Sequence, residues 1–219
     1  MVDVKYYTTL LFNEETGKER YGLAQKEAEK IYTENSIAYC WAFAMECYNC
    51  ELYYIQMLGV YILGLIGNQE ALHFLKNTVS KNPAWQIQEF LAMAFDSYCR
   101  KNGYENSLDT INEWLSNENA NIRRSVTEGL RNWTKRPYFK DNPDATIKLL
   151  SKYKTDESEY VRKSVGNALK DISKEYPKLV EKELSEWELA TKEIRQVYLL
   201  ANKVMDKCLN TKKKTDKTD

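Results

Sequence analysis

Apolar residues recur at intervals of three and four along most of the chain, the period of amphipathic helices. Strand signals, with their period of two, are poor. Five segments align without gaps: "IQMLGVYIL" from Ile55, "IQEFLAMAF" from Ile87, "IRRSVTEGL" from Ile122, "VRKSVGNAL" from Val161 and "IRQVYLLAN" from Ile194. Each is followed by a second helical stretch before the next copy. Successive anchors are 32, 35, 39 and 33 residues apart, a spacing that suits two helices per repeat. In each copy the anchor and the fourth and eighth residues after it form an apolar stripe, as in Ile122, Val126 and Leu130. A small residue follows the anchor by seven places at Ala94, Gly129, Ala168 and Ala201, which predicts close helix contacts; the first copy departs, with Ile62. The pattern predicts an all-α protein, an α-solenoid in which each repeat covers its neighbour's apolar face.

Punctuation agrees with this reading. Asn82-Pro83, Asn142-Pro143 and Tyr176-Pro177 read as helix starts with proline in the first turn, and Gly103 reads as a stop. Residues 1–50 lack a clear repeat and are expected to form an atypical helical cap. Residues 1–208 are read as one domain of HEAT-like type, and the tail 209–219, "NTKKKTDKTD" from Asn210, as disordered.

A different face of the repeated helices carries charge. Offsets two, six, nine and thirteen from the anchor fall together: Glu89, Met93, Asp96 and Arg100; Arg124, Glu128, Arg131 and Lys135; Lys163, Asn167, Lys170 and Lys174. Their formal charges run −1, +2 and +3. Arginine also recurs at offset one, in Arg123, Arg162 and Arg195. Stacking these faces in register predicts a concave, cationic groove suited to a phosphodiester backbone. A solvated face that keeps the protein soluble is the alternative. Trp85 stands four residues before Glu89, on the same side of its helix. It is read either as a cap residue packed on the next repeat or as an aromatic plate beside a carboxylate, suited to a cation or an electron-poor base.

Composition narrows the classes. The 219 residues carry no net charge, against a globally basic protein, but this leaves the distribution of charge open. No apolar run of about 18 residues appears, and the N-terminus lacks a signal-peptide pattern, so no membrane and a cytoplasmic, nucleoid-associated location are expected. One histidine, His73, and five cysteines do not supply the roughly four spaced ligands of a zinc site, and no strand precedes Cys47-x-x-Cys50. The thiols are expected to be buried or half-buried and His73 to be a helix-surface or packing residue, with no metal and no cofactor.

The segments "PAWQIQEFLAMAF", "NIRRSVTEGLRNWTKRPYFKDNP" and "EYVRKSVGNALKDISKEYP" together resemble the HEAT-like DNA alkylation repair enzymes, bacterial alkylpurine DNA glycosylases. The resemblance covers roughly residues 50–205. It implies a C-shaped stack of repeats around double-stranded DNA, acting as a monomer on N3- or N7-alkylated purines. One branch uses a tryptophan, an aspartate four residues later and an arginine of the next repeat; Trp85, Glu89 and Arg124 occupy those positions. A further tryptophan of that branch falls at Asn167. In another branch the matching pocket residues are Glu128 with Arg131, and Asn167 with Asp171. The catalytic expectation is therefore Glu89, Arg124 and Trp85, with Glu128 and Asp171 as reserve acids. Arg123, Arg131, Lys135, Arg162, Lys163, Asn167 and Lys170 are expected on DNA. Two rivals remain: a binder of bent, branched or damaged duplex without excision, and a protein-binding scaffold.

Overall fold

The structure, a computed structural model, describes residues 2–13, 15–16 and 18–204. The disordered tail expected at 209–219 lies outside them. The chain divides into two compact units, residues 1–114 and 115–219. In the first unit, α1 (Val4–Leu11) leads into a minimal antiparallel hairpin, β1 (Phe12–Asn13) and β2 (Lys18–Glu19), with Phe12 opposite Glu19. Then follow α2 (Tyr21–Glu34), α3 (Ile37–Tyr48), α4 (Tyr53–Ile66), α5 (Gln69–Asn77), α6 (Trp85–Asn102) and α7 (Leu108–Leu115), at whose end the division falls. The second unit holds α8 (Ala120–Gly129), α9 (Pro137–Asp141), α10 (Pro143–Ser151), α11 (Glu159–Ser173), α12 (Pro177–Ser185) and α13 (Lys192–Asn202). Short 3-10 turns occupy Val79–Lys81 and Trp133–Lys135.

Local chemistry sets these boundaries. Ser36, Asn68 and Thr191 each accept the backbone N–H three residues on, satisfying an orphan donor of the helix they open. Pro143 and Pro177 stand at the first positions of α10 and α12, where a missing N–H costs nothing. Gly67 and Gly103 close α4 and α6 with positive φ, +57° and +84°. Pro83 departs from expectation: α6 begins two residues later, at Trp85, with Ala84 as its N-cap.

The anchors Ile55, Ile87, Ile122 and Val161 are buried, and Ile194 is half-buried. The repeat helices pack in chain order, α3 and α6 on α4 in the first unit, α8 and α13 on α11 in the second. The closest approach pairs Gly64 of α4 with Ala94 of α6, where a Cβ on Gly64 would stand 2.5 Å from the Ala94 Cα. In the first repeat the small residue at this approach is Gly64, nine places after the anchor, so the seven-place spacing does not extend to that copy. Residues 1–50 are helical apart from the hairpin, and α1, α2 and α3 all pack on α4.

The residue after each anchor does one recurring job. Its side chain donates to the backbone carbonyl six positions earlier: Gln56 to Cys50 at 2.7 Å, Gln88 to Asn82 at 2.7 Å, Arg123 to Asn117 at 2.8 Å, Arg162 to Asp156 at 2.6 Å and Arg195 to Leu189 at 2.7 Å. The loop entering each repeat helix leaves a carbonyl without a backbone partner, and this side chain satisfies it. The repetition at offset one is therefore a folding requirement, met by an amide in the first unit and by a guanidinium in the second.

Candidate nucleic-acid interface

In the first unit the site centres on the first turn of α6. No side chain caps this helix; Asn82 Oδ1 accepts the Ala84 N–H at 2.9 Å, and the Ala84 carbonyl accepts the Ile87 N–H at 3.0 Å. Trp85 is 61% exposed, so its ring is not a packed cap residue. Glu89, one turn on, is half-buried. Further along the same row, Met93 accepts a weak hydrogen bond from Gln25 Nε2 at 3.3 Å, and Asp96 accepts one from the Tyr104 hydroxyl at 3.0 Å.

Residues far away in the chain close around this turn. The Glu19 Oε1 accepts from the Tyr53 hydroxyl at 2.6 Å and from Gln86 Nε2 at 3.2 Å. Burial pushes the Glu19 carboxyl up, but these hydrogen bonds together with a backbone one outweigh it and hold the group below its ordinary value. The Tyr53 hydroxyl is pushed up to about 12 by burial and then by Glu19. Tyr21 packs edge-on against Phe90, centroids 5.6 Å apart, and its hydroxyl is buried with no hydrogen-bond partner among the described residues. Burial raises the Tyr21 pKa first, and the Glu19 and Glu89 carboxylates raise it further. This cluster was not legible in the sequence: Glu19 lies in a two-residue strand, which carries no periodic signal, and Tyr21, Tyr53 and Gln86 belong to three different helices.

In the second unit the expected cationic face divides. Arg123 is 7% exposed; its Nε and Nη2 grip Asp156 at 2.7 and 2.8 Å, and its Nη1 holds the carbonyls of Asn117 and Glu118. Arg162 is 8% exposed and bound to Gln196 Oε1 at 2.8 Å and to the carbonyls of Asp156 and Glu157. Both were expected on phosphate, and that assignment is corrected: guanidiniums consumed by buried partners are not open to a ligand. Arg131 is half-buried, with Nε on Asp171 at 2.9 Å and Nη1 on Glu128 at 3.1 Å. Ser164 Oγ also donates to Glu128, and Lys174 pairs with Asp171 at 2.7 Å. Burial pushes the Asp171 carboxyl up, and hydrogen bonds from Lys174 and Arg131 outweigh it and hold the group low. The two reserve acids are thus structural counterions in one network, a poor setting for a general base.

The remaining expected contacts are more open. Lys163 is exposed, paired with Glu159 at 2.7 Å and 5.9 Å from the centroid of the Tyr160 ring. Lys170 donates to Asn167 Oδ1 at 2.9 Å, and both are half-buried. Arg124 is half-buried and Lys135 exposed. Lys135 does not continue the helical row, because α8 stops at Gly129 and Lys135 lies in the following 3-10 turn.

The described thiols are buried or half-buried, and the imidazole lies at the surface. Cys40, Cys47 and Cys99 are buried, and burial above all pushes the Cys47 thiol up, away from the reactive thiolate. His73 is exposed on α5 beside the Asn77 amide. Among the described residues no group of three or more His, Cys, Asp or Glu could hold a metal ion, and no helix is long and apolar enough to cross a membrane.

Comparison with known proteins was made by family, sequence and structure. The model of a family described as DNA alkylation repair enzyme matches residues 11–198. A crystal structure of AlkD2 from Streptococcus mutans is 44% identical, with a TM-score of 0.85 over 91% of this chain and 97% of that one. A structure of the Pseudomonas fluorescens alkylpurine DNA glycosylase AlkC, bound to DNA containing an abasic site analogue, is 18% identical. Its TM-score is 0.64 over 93% of this chain and 57% of that one, a likeness of fold. An uncharacterised protein of Bacillus subtilis strain 168, YhaZ, is 42% identical over 78 residues. These make up 34% of this chain and 22% of YhaZ, so the match spans about a fifth of that relative's length.

Proposed function

The chain belongs to the DNA alkylation repair enzyme family, and from that premise we propose that it binds alkylated duplex DNA and hydrolyses the N-glycosidic bond of N3- or N7-alkylated purines. The observation that carries this reading is the exposed Trp85 ring one helical turn before the Glu89 carboxylate. A purine alkylated at N3 or N7 is cationic and already a good leaving group, so no strong general acid is needed. The barrier lies in the oxocarbenium ion that develops at the sugar and in bringing water to C1′. One carboxylate serves both, by opposing the growing positive charge and by orienting or deprotonating water. Glu89 takes this role, and Trp85 contacts the damaged nucleotide, whose positive charge favours an aromatic face. Arg124, Lys135, Lys163 and Lys170 of the second unit take backbone phosphates. The protein acts as a single chain without metal or cofactor.

A second reading, binding of distorted duplex without excision, is favoured by specific observations. Glu128 and Asp171 are neutralised by Arg131 and Lys174, so neither offers an alternative acid. Glu89 also stands where the resemblance places aspartate, and Asn167 where it places a second tryptophan.

Base release from methylated duplex separates the two. Wild-type protein should free 7-methylguanine or 3-methyladenine, and Glu89→Gln should lower the rate by ~10²-fold or more, the scale of losing one electrostatic or acid–base group. Binding that weakens steeply with salt but frees no base supports the second reading. No salt-dependent DNA binding at all points to a protein-binding scaffold.

A further inference from the structure

Three segments remote in sequence meet at the uncapped start of α6. The hairpin brings Glu19 there, the start of α2 brings Tyr21, and the start of α4 brings Tyr53. The hairpin is itself anchored: Phe12 stacks on Tyr54 with centroids 5.1 Å apart, and the Arg20 N–H closes on the Leu11 carbonyl at 2.8 Å. Glu19 therefore reaches α6 from a fixed base.

Its target is informative. Gln86, the residue between Trp85 and the anchor Ile87, donates to the same Glu19 oxygen that receives the Tyr53 hydroxyl. Ala84 supplies no side-chain cap, so the turn that carries Trp85 is tied by the backbone at the Ala84 carbonyl and laterally by Gln86 to Glu19 and by Gln88 to the Asn82 carbonyl. A carboxylate beside the N-terminus of a helix also meets the positive end of its dipole. We propose that Glu19 is a positioning residue for the Trp85–Glu89 pair, holding the first turn of α6 through Gln86 so that both side chains are presented together. This rests on the reading that the pair meets the damaged nucleotide. Tyr21, two residues after Glu19, packs its ring edge-on against Phe90 of the same helix. Residues 1–50 then contribute to the site, beyond covering the end of the repeats.

The test uses the full chain and has a readout independent of catalysis. The five tryptophan indole N–H resonances are recorded by NMR, with Trp85 assigned from Trp85→Phe. Glu19→Ala should shift or broaden the Trp85 resonance while leaving the other tryptophans in place, and should lower single-turnover base release at saturating DNA by at least ~10-fold, the scale typical of lost positioning. Glu19→Gln keeps an oxygen that accepts from Tyr53 and Gln86 and should restore most of both signals. If Glu19→Ala does not fold, Gln86→Ala removes the same link and should shift Trp85 alike. A Trp85 resonance unmoved in Glu19→Ala, or in Gln86→Ala where the first does not fold, overturns the proposal. A wild-type protein that frees no base, while Trp85 still answers to Glu19, sinks the catalytic reading and leaves the positioning role standing.

Discussion

The entries to α6 and α8 are the same piece of the repeat built with different chemistry. Both follow a loop whose carbonyl six positions before the offset-one residue needs a donor. At α6 the donor is the neutral Gln88, which also reaches the Val79 carbonyl at 3.1 Å. At α8 it is Arg123, whose second edge goes on to grip Asp156, at the entry to the next repeat helix. An amide ends at its loop, whereas a guanidinium has donors to spare and ties one repeat to the next. The cations that crowd the later repeats are thus partly mortar. The start of α6, which has no guanidinium tie, carries an exposed tryptophan and a half-buried carboxylate.

The largest test of this contrast is Arg123→Ala. It leaves Asp156, whose side chain is 5% exposed, as a buried unpaired charge, and should cost ~3–5 kcal/mol in urea unfolding. Adding Asp156→Asn to Arg123→Gln copies the amide arrangement of α6 and should recover much of the loss. A cost under ~1 kcal/mol for Arg123→Ala would return the residue to the list of DNA contacts. Gln88→Ala should cost less, ~1–3 kcal/mol, because it strands the Asn82 carbonyl but no charge, the Val79 carbonyl keeping the Asn82 N–H. Its unfolding midpoint in urea should fall between wild type and Arg123→Ala. The smallest effect concerns acid. The folded pKa of Asp171 is depressed, so its stabilising contribution is complete above the unfolded value and is lost as pH falls through the folded one. Below about pH 4, the ordinary range of an aspartate, wild-type stability should fall more steeply than that of Asp171→Asn. Parallel acid profiles would show the Arg131–Asp171 pair to be energetically idle.

Much of the repeat was legible because its determinants are local. Ile122, Val126 and Leu130 alternate at helical spacing and are all buried, and Gly103, Pro143 and Pro177 stop or start helices for reasons carried in their own backbones. The row Arg124, Glu128, Arg131, Lys135 was legible only to Gly129, where α8 ends and a 3-10 turn redirects the chain. Pro83 misled because Asn82 and Ala84 continue the loop, so the helix starts only at Trp85. Trp85 and Glu89 were found through their helical step. Glu19 was not, since its significance comes entirely from what it touches.

Sequence by itself determined that this protein is helical, where its repeat helices lie and which stripe of each is buried, because hydrophobic periodicity acts over neighbouring turns of one helix. It also placed an aromatic and a carboxylate on one side of α6. Tertiary structure alone decided what the polar residues do. Arg123 meets Asp156 from 33 positions away, and Gln86 meets Glu19 from 67. A charged side chain reads the same in sequence whether it faces water, phosphate or a buried carboxylate, and only the folded chain supplies the partner that settles which.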